Sequence, residues 1–145
     1  GNGSLIRGIG EVFKTRYPGT TIVGLVPAGA PAMAKGIAGR TWDENSAVDT
    51  YADGLAVRVP ILKMVESLKT LIDAVWVIDE EALLPAVKSL ITLEQVMVEP
   101  SASITIAGLA SHRPEIEGKK VAAIITGSHL RPSLISEVIH SVGLF

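Results

Sequence analysis

Gly1-Asn2-Gly3-Ser4-Leu5-Ile6-Arg7-Gly8 is a glycine-rich turn that runs straight into an amphipathic pattern, with Leu5, Ile6, Ile9, Val12 and Phe13 recurring at helical spacing. Glycine lets a backbone turn tightly and approach a ligand, because no Cβ stands in the way. A helix N-terminus then presents unpaired N–H groups and a partial positive charge, a combination that suits a phosphate. Ser4 is placed to cap this helix, and Asn2 tolerates a left-handed conformation. Such a loop ordinarily follows a β-strand. Here it stands at the first residue, so the sequence reads as starting inside a larger unit.

Outward from that loop, the helix is expected from Ser4 to about Tyr17, ended by the breaker pair Pro18-Gly19. Thr20 to Val26, Ala74 to Ile78, Gln95 to Val98 and Lys120 to Ile125 are short apolar, β-branched runs that read as strands. Helices are expected from Pro31 to Ile37, from Pro60 past Ile72, from Asp79 to Ile91, from Ala102 to Ala110 and from Pro132 to Val142. Asp79 is placed to cap its helix, with Glu80 and Glu81 in the first turn, where the macrodipole favours them. Between Gly39 and Ala56 the pattern is irregular and polar, a length of loop more often functional than idle. Helices alternating with continuously apolar strands predict an α/β fold with a parallel sheet. Ligands of such sheets sit beyond the carboxyl ends of the strands, where Thr126-Gly127-Ser128 falls.

The chain has 145 residues, one domain's worth, with 48% hydrophobic and 19% charged side chains and a mean hydropathy of +0.41. Aromatics are only 4%, so the core must be built from Ala, Val, Ile and Leu. Thirteen basic against fifteen acidic side chains leave no basic footprint for nucleic acid. No run approaches the roughly 18 apolar residues of a membrane span, and no signal-peptide pattern is present, so cytoplasm is the expected location. The absence of cysteine excludes disulfides and zinc–thiolate sites.

Four segments then line up in order: Gly-Asn-Gly-Ser-Leu at 1–5, Thr-Tyr-Ala-Asp-Gly-Leu-Ala-Val at 50–57, Val-Glu-Pro-Ser-Ala at 98–102, and Val-Ala-Ala-Ile-Ile-Thr-Gly-Ser at 121–128. Together they resemble the second half of the pyridoxal-phosphate enzymes of the tryptophan-synthase β-like fold, in particular the serine/threonine dehydratase branch with serine racemase, threonine synthase being a near relative. The resemblance covers the whole chain. It implies a three-layer α/β sandwich with a mainly parallel sheet, residues 1–145 forming one domain: the large cofactor domain, truncated at its N-terminus.

It also implies site residues. Gly1, Asn2, Gly3, Ser4 and Leu5 match the loop that wraps the cofactor phosphate, with Asn2 and Ser4 where the family usually has glycine. Thr126 matches the hydroxyl or thiol partner of the pyridine nitrogen, Gly54 the glycine whose backbone lies close to the ring, and Glu99 a glutamate near the same place. The implied activity is removal of water and ammonia from serine or threonine, leaving a 2-oxo acid. The family's Schiff-base lysine belongs to the portion upstream of the glycine loop, and none of Lys14, Lys35, Lys63, Lys69, Lys88, Lys119 or Lys120 stands in its context. No catalytic residue is therefore assigned, and pyridoxal phosphate is expected to make only non-covalent contacts with this chain. Some relatives bind a divalent cation through a glutamate after the strand ending near Val26, where this chain has Pro27-Ala28, so no metal site is expected.

Plainer readings stand beside these. Asp53-Gly54 alone is a turn, Glu99-Pro100-Ser101 a strand end with a helix cap, and Lys69 part of an ordinary helix face. Trp42 and Trp76 read as packing residues, His112 and His140 as helix-end residues, and His129 as a neighbour of the cofactor loop. A dinucleotide-binding module is disfavoured, because the third glycine falls at Gly8 and no acidic residue follows about twenty residues on. A non-catalytic fragment or assembly module with this scaffold is the alternative function. A sheet edge left open before Gly1 predicts a homo-oligomer, or association with the upstream half.

Overall fold

The computed structural model describes residues 1–144. They form two compact units: residues 1–49 with 55–77, and residues 50–54 with 78 onward.

In the first unit, α1 (Ser4–Arg16) starts from Gly3, whose φ of 86° and ψ of 9° lie in the left-handed region. The special conformation thus falls on Gly3, not Asn2, and Ser4 is the first helical residue with no capping hydrogen bond. A side-chain cap is not needed where the glycine itself turns the chain. β1 (Val23–Pro27) and β2 (Ala74–Ile78) pair as a parallel two-stranded sheet. Between them come α2 (Ala32–Ile37) and α3 (Leu62–Leu71), and no strand or α-helix lies between Ile37 and Leu62. Val26, Met33, Val65 and Leu68 form the core, with Ile6, Ile72 and Val75 packed against it. α1 approaches α3 closely because Gly10 has no side chain: a Cβ there would lie 3.0 Å from Leu71 Cβ. Asp73, just before β2, accepts hydrogen bonds from Lys14 Nζ at 2.7 and 2.8 Å and from the Ile22 N–H at 2.7 Å. The Asp73 N–H returns a bond to Ile22 O at 2.8 Å, so one residue ties the start of β1 to the start of β2.

The second unit is helical. A 3₁₀ turn (Glu80–Ala82) leads into α4 (Leu83–Leu93), followed by α5 (Pro100–Ser111), the short α6 (Arg113–Ile116) and α7 (Pro132–His140). Leu84, Val87, Leu90, Val98, Ala102 and Val138 make its core. Small buried residues on the facing helices (Ala86, Ala102, Ser103, Ala107 and Gly108) let α4 and α5 pack closely. Lys88 Nζ donates to the carbonyls of Ile139, at 2.8 Å, and Ser141, holding the C-terminal end of α7.

Two expected strands are absent. Gln95 takes a φ of 57° and the Val96 N–H donates to Leu90 O at 3.1 Å, so these residues close the end of α4 and cannot extend as a strand. The run 120–125 is unpaired among the described residues, with Val121, Ile124 and Ile125 exposed. A strand is completed by its ladder, and apolar β-branched sequence supplies only the tendency. Asp79 precedes the 3₁₀ turn without capping it through its side chain. Glu80, expected to serve the helix dipole, is instead turned toward a distant loop.

Candidate functional site

In the first unit the glycine turn and the start of α1 make one feature. The first rung of the α1 ladder runs from the Arg7 N–H to Gly3 O at 2.9 Å, leaving the N–H groups of Ser4, Leu5 and Ile6 ahead of it. Gly3 is fixed twice over. Its φ is left-handed, and a Cβ there would lie 2.5 Å from Leu68 Cδ1, a side chain only 1% exposed. Beside it, Asn2 Oδ1 is buried without a partner. Rotating that amide exchanges oxygen and nitrogen and turns an N–H donor inward, which is what an anion would require. A phosphate group fits these donors.

The second unit brings together Gly54, Glu99 and Gly127, the neighbour of Thr126. A 3₁₀ turn (Asp53–Leu55) carries Gly54, whose N–H donates to Ser101 Oγ at 3.0 Å. A Cβ at Gly54 would lie 2.8 Å from that oxygen and 3.7 Å from Glu99 Oε1. Gly127 has a φ of 86°, and a Cβ there would lie 2.6 Å from Glu99 Oε1. The Glu99 carboxylate therefore has both Gly54 and Gly127 as close neighbours. The Glu99 N–H donates to Gly127 O at 3.4 Å, and Glu99 O accepts from the N–H groups of Ala102 and Ser103 in the first turn of α5. Thr126 itself is exposed, as are Ser128 and His129.

The loop bearing Gly54 has a second anchor. Glu80 Oε2 accepts from Thr50 Oγ1 at 2.9 Å and from the Tyr51 N–H at 3.2 Å, while Thr50 Oγ1 accepts from the Ala52 N–H at 3.0 Å. Asp53 also faces Arg131, at 3.7 Å, both side chains being largely in solvent. Sequence alone assigned none of Ser101, Glu80 and Thr50 to the site; only the place of Ser101 beside Glu99-Pro100 pointed to it. The phosphate-loop residues Gly1–Leu5 belong to the first unit, and Gly54, Glu99 and Thr126 to the second. Lys69 is paired with Glu66 at 2.8 Å along α3, as expected of an ordinary helix face.

A left-handed glycine at a helix start, on a parallel α/β scaffold, is an arrangement suited to a phosphate-bearing ligand. The chain belongs to the pyridoxal-phosphate dependent enzymes: the sequence profile of that family matches residues 1–127. It is 29% identical over 129 residues to a biosynthetic L-threonine dehydratase of Halalkalibacterium halodurans, covering 89% of this chain and 31% of that protein. Against a catabolic L-threonine dehydratase of Staphylococcus aureus it is 30% identical over 142 residues, covering 96% and 41% respectively. The chain thus spans between about a third and two fifths of these relatives. Maize serine racemase shares the fold at 27% identity and a TM-score of 0.80, over 96% of this chain and 44% of that one. A threonine deaminase from T.th. shows the same fold at a TM-score of 0.78 and 24% identity, over 90% and 48%. The fold is accordingly the tryptophan-synthase β-like α/β fold anticipated from the sequence.

Proposed function

We propose that this chain supplies the phosphate loop and pyridine-side contacts of a pyridoxal-phosphate lyase acting on serine or threonine, which eliminates water and ammonia to leave a 2-oxo acid. The observation that carries the reading is the left-handed Gly3 at the head of α1, with a buried, unpartnered amide oxygen on Asn2 beside it. The substrate class follows from the relatives, which are threonine dehydratases.

When bound, the cofactor supplies the electron-withdrawing ring that acidifies the substrate's α-carbon. The chain's own part is binding and orientation. Backbone N–H groups at the start of α1 would hold the phosphate, and side chains at Asn2 and Ser4 would leave those backbone donors in place. Thr126 offers the pyridine nitrogen a hydroxyl, which unlike a carboxylate does not hold that nitrogen protonated; this suits elimination over chemistry that needs a long-lived carbanion. Gly54, with no side chain, would let backbone come close to the ring, and Glu99 would place a carboxylate near the same site. Three of the seven lysines are engaged elsewhere: Lys14 by Asp73, Lys69 by Glu66 and Lys88 by the carbonyls ending α7. We assign the covalent lysine to none of the seven, so the isolated chain is expected to bind without turning over substrate.

Titration with pyridoxal phosphate, followed by borohydride reduction and intact-mass measurement, tests this. Saturable binding with no mass increase is the expected result. Cofactor trapped on a single lysine would overturn the assignment, and an absence of any binding would overturn the proposal itself.

A further inference from the structure

We infer that Ser101 and Glu80 are positioning residues for the cofactor-facing backbone at Gly54. The inference rests on the functional reading above and extends it to two side chains outside the four motifs' assigned contacts.

The loop Thr50–Gly54 is short and largely exposed, with Ala52 alone fully buried, so little packing fixes its backbone. Polar anchors do so from two directions. At its start, one oxygen of Glu80 accepts from both the Thr50 hydroxyl and the Tyr51 N–H, and the same hydroxyl accepts from the Ala52 N–H. At its end, the Gly54 N–H donates to Ser101 Oγ. The anchors sit on separate elements, the 3₁₀ turn that leads into α4 and the first turn of α5, and α4 packs with α5 through Leu84, Val87, Leu90 and Ala102. The N–H groups of Tyr51, Ala52 and Gly54 are thereby satisfied by side-chain oxygens. The loop is thereby held at both ends, at Thr50–Ala52 by Glu80 and at Gly54 by Ser101.

The Gly54 surface is also shaped by what these anchors hold close. Ser101 stands where a Cβ of residue 54 would go, and Glu99, two positions before Ser101, reaches toward the same point. Displacing the loop would therefore change the spacing between Gly54 and the Glu99 carboxylate, two groups assigned to the cofactor.

The test uses the full chain and pyridoxal phosphate as probe, with Ser101→Ala, Ser101→Thr, Glu80→Ala and Glu80→Gln. Amide exchange in the cofactor-free chain should rise at Gly54 in S101A and at Tyr51 in E80A, each leaving the other amide protected. Cofactor affinity should fall about tenfold in each alanine variant, the scale of the one hydrogen bond lost in S101A or the two lost in E80A, by more than any fall in melting temperature accounts for. S101T and E80Q, which keep an acceptor oxygen, should restore affinity to within about threefold. Alanine variants that bind as tightly as the parent, or whose affinity falls only in step with melting temperature, would overturn the positioning role. A parent chain that binds no cofactor would instead overturn the functional reading on which it rests, and the role with it.

Discussion

Methyl groups added at Gly54 and at Gly127 meet different obstacles. At Gly54 the new carbon would lie 2.8 Å from Ser101 Oγ and 3.2 Å from Ser101 Cβ, but the backbone itself is not in the left-handed region. The obstacle is one small side chain. At Gly127 the new carbon would lie 2.6 Å from Glu99 Oε1, and φ is 86° besides. Trimming the neighbour cannot repair a dihedral. Two double-mutant cycles on unfolding free energy separate the cases. Gly54→Ala and Ser101→Ala should couple by about 1 kcal/mol, since the second change removes the nearer of the two atoms that the first collides with. Gly127→Ala in a Glu99→Ala background should retain a residual cost of about 1–2 kcal/mol, the penalty of a left-handed alanine. Strict additivity at 54/101 would show that the Ser101 contact is not what requires glycine there, and full rescue at 127/99 would show that the dihedral is not what requires it at 127.

At the scale of elements, Asp73 carries the join between β1 and β2. The hydrogen bonds from Lys14 and then from the Ile22 N–H hold its carboxyl below the ordinary carboxylate range. A group whose folded pKa is depressed contributes stability above its unfolded pKa, and that contribution disappears as pH falls through the folded value. The first unit should therefore weaken below about pH 4, where an unperturbed Asp titrates. Because the Asp73 side chain is 43% exposed, the contribution is screened and amounts to at most about 1 kcal/mol. Urea unfolding at pH 7 and pH 3 should show a smaller difference for Asp73→Asn than for the parent; equal differences would remove Asp73 as the titrating tie. The same pairing shows what sequence does and does not carry. The bounds of β2, Ala74 to Ile78, are legible to the residue, because a continuous apolar run between two aspartates marks a strand, but its expected burial is met only at Ile78, and Val77 is exposed. The tie from Lys14 spans 59 residues, and the anchors of the Gly54 loop span 30 and 47, distances over which no local pattern speaks. Gln95 misleads in the other direction: its neighbours are apolar enough for a strand, but a helix end needed a residue there to turn left-handed. The glycines of the candidate site were legible because a backbone that must approach something excludes side chains. Their supporting serine and glutamate were not, since neither residue type is unusual at its position.

For the molecule as a whole, exposed apolar surface is the property with the clearest consequence. Val121, Ile124 and Ile125 lie on one unpaired stretch, and Leu93, Val96 and Met97 at and just after the end of α4, each between 38% and 61% exposed. Both belong to the second unit. Among the described residues no helix is long and apolar enough to cross a membrane, so a bilayer-spanning helix does not account for these side chains. Of the two, 121–125 is β-branched sequence with no ladder partner among the described residues, the type of surface that pairs with another chain. The stretch 121–128 also carries Thr126, so whatever covers it would order a residue assigned to the cofactor. We expect the isolated chain to self-associate with rising concentration, sedimenting as dimers or larger species, and Ile124→Lys with Val121→Lys to shift it toward monomer. Salt supplies an internal control: association driven by apolar burial should strengthen in sulfate, whereas pairing of surface charges should weaken. A parent chain that sediments as a clean monomer across the accessible concentration range would show that these side chains tolerate water as they stand.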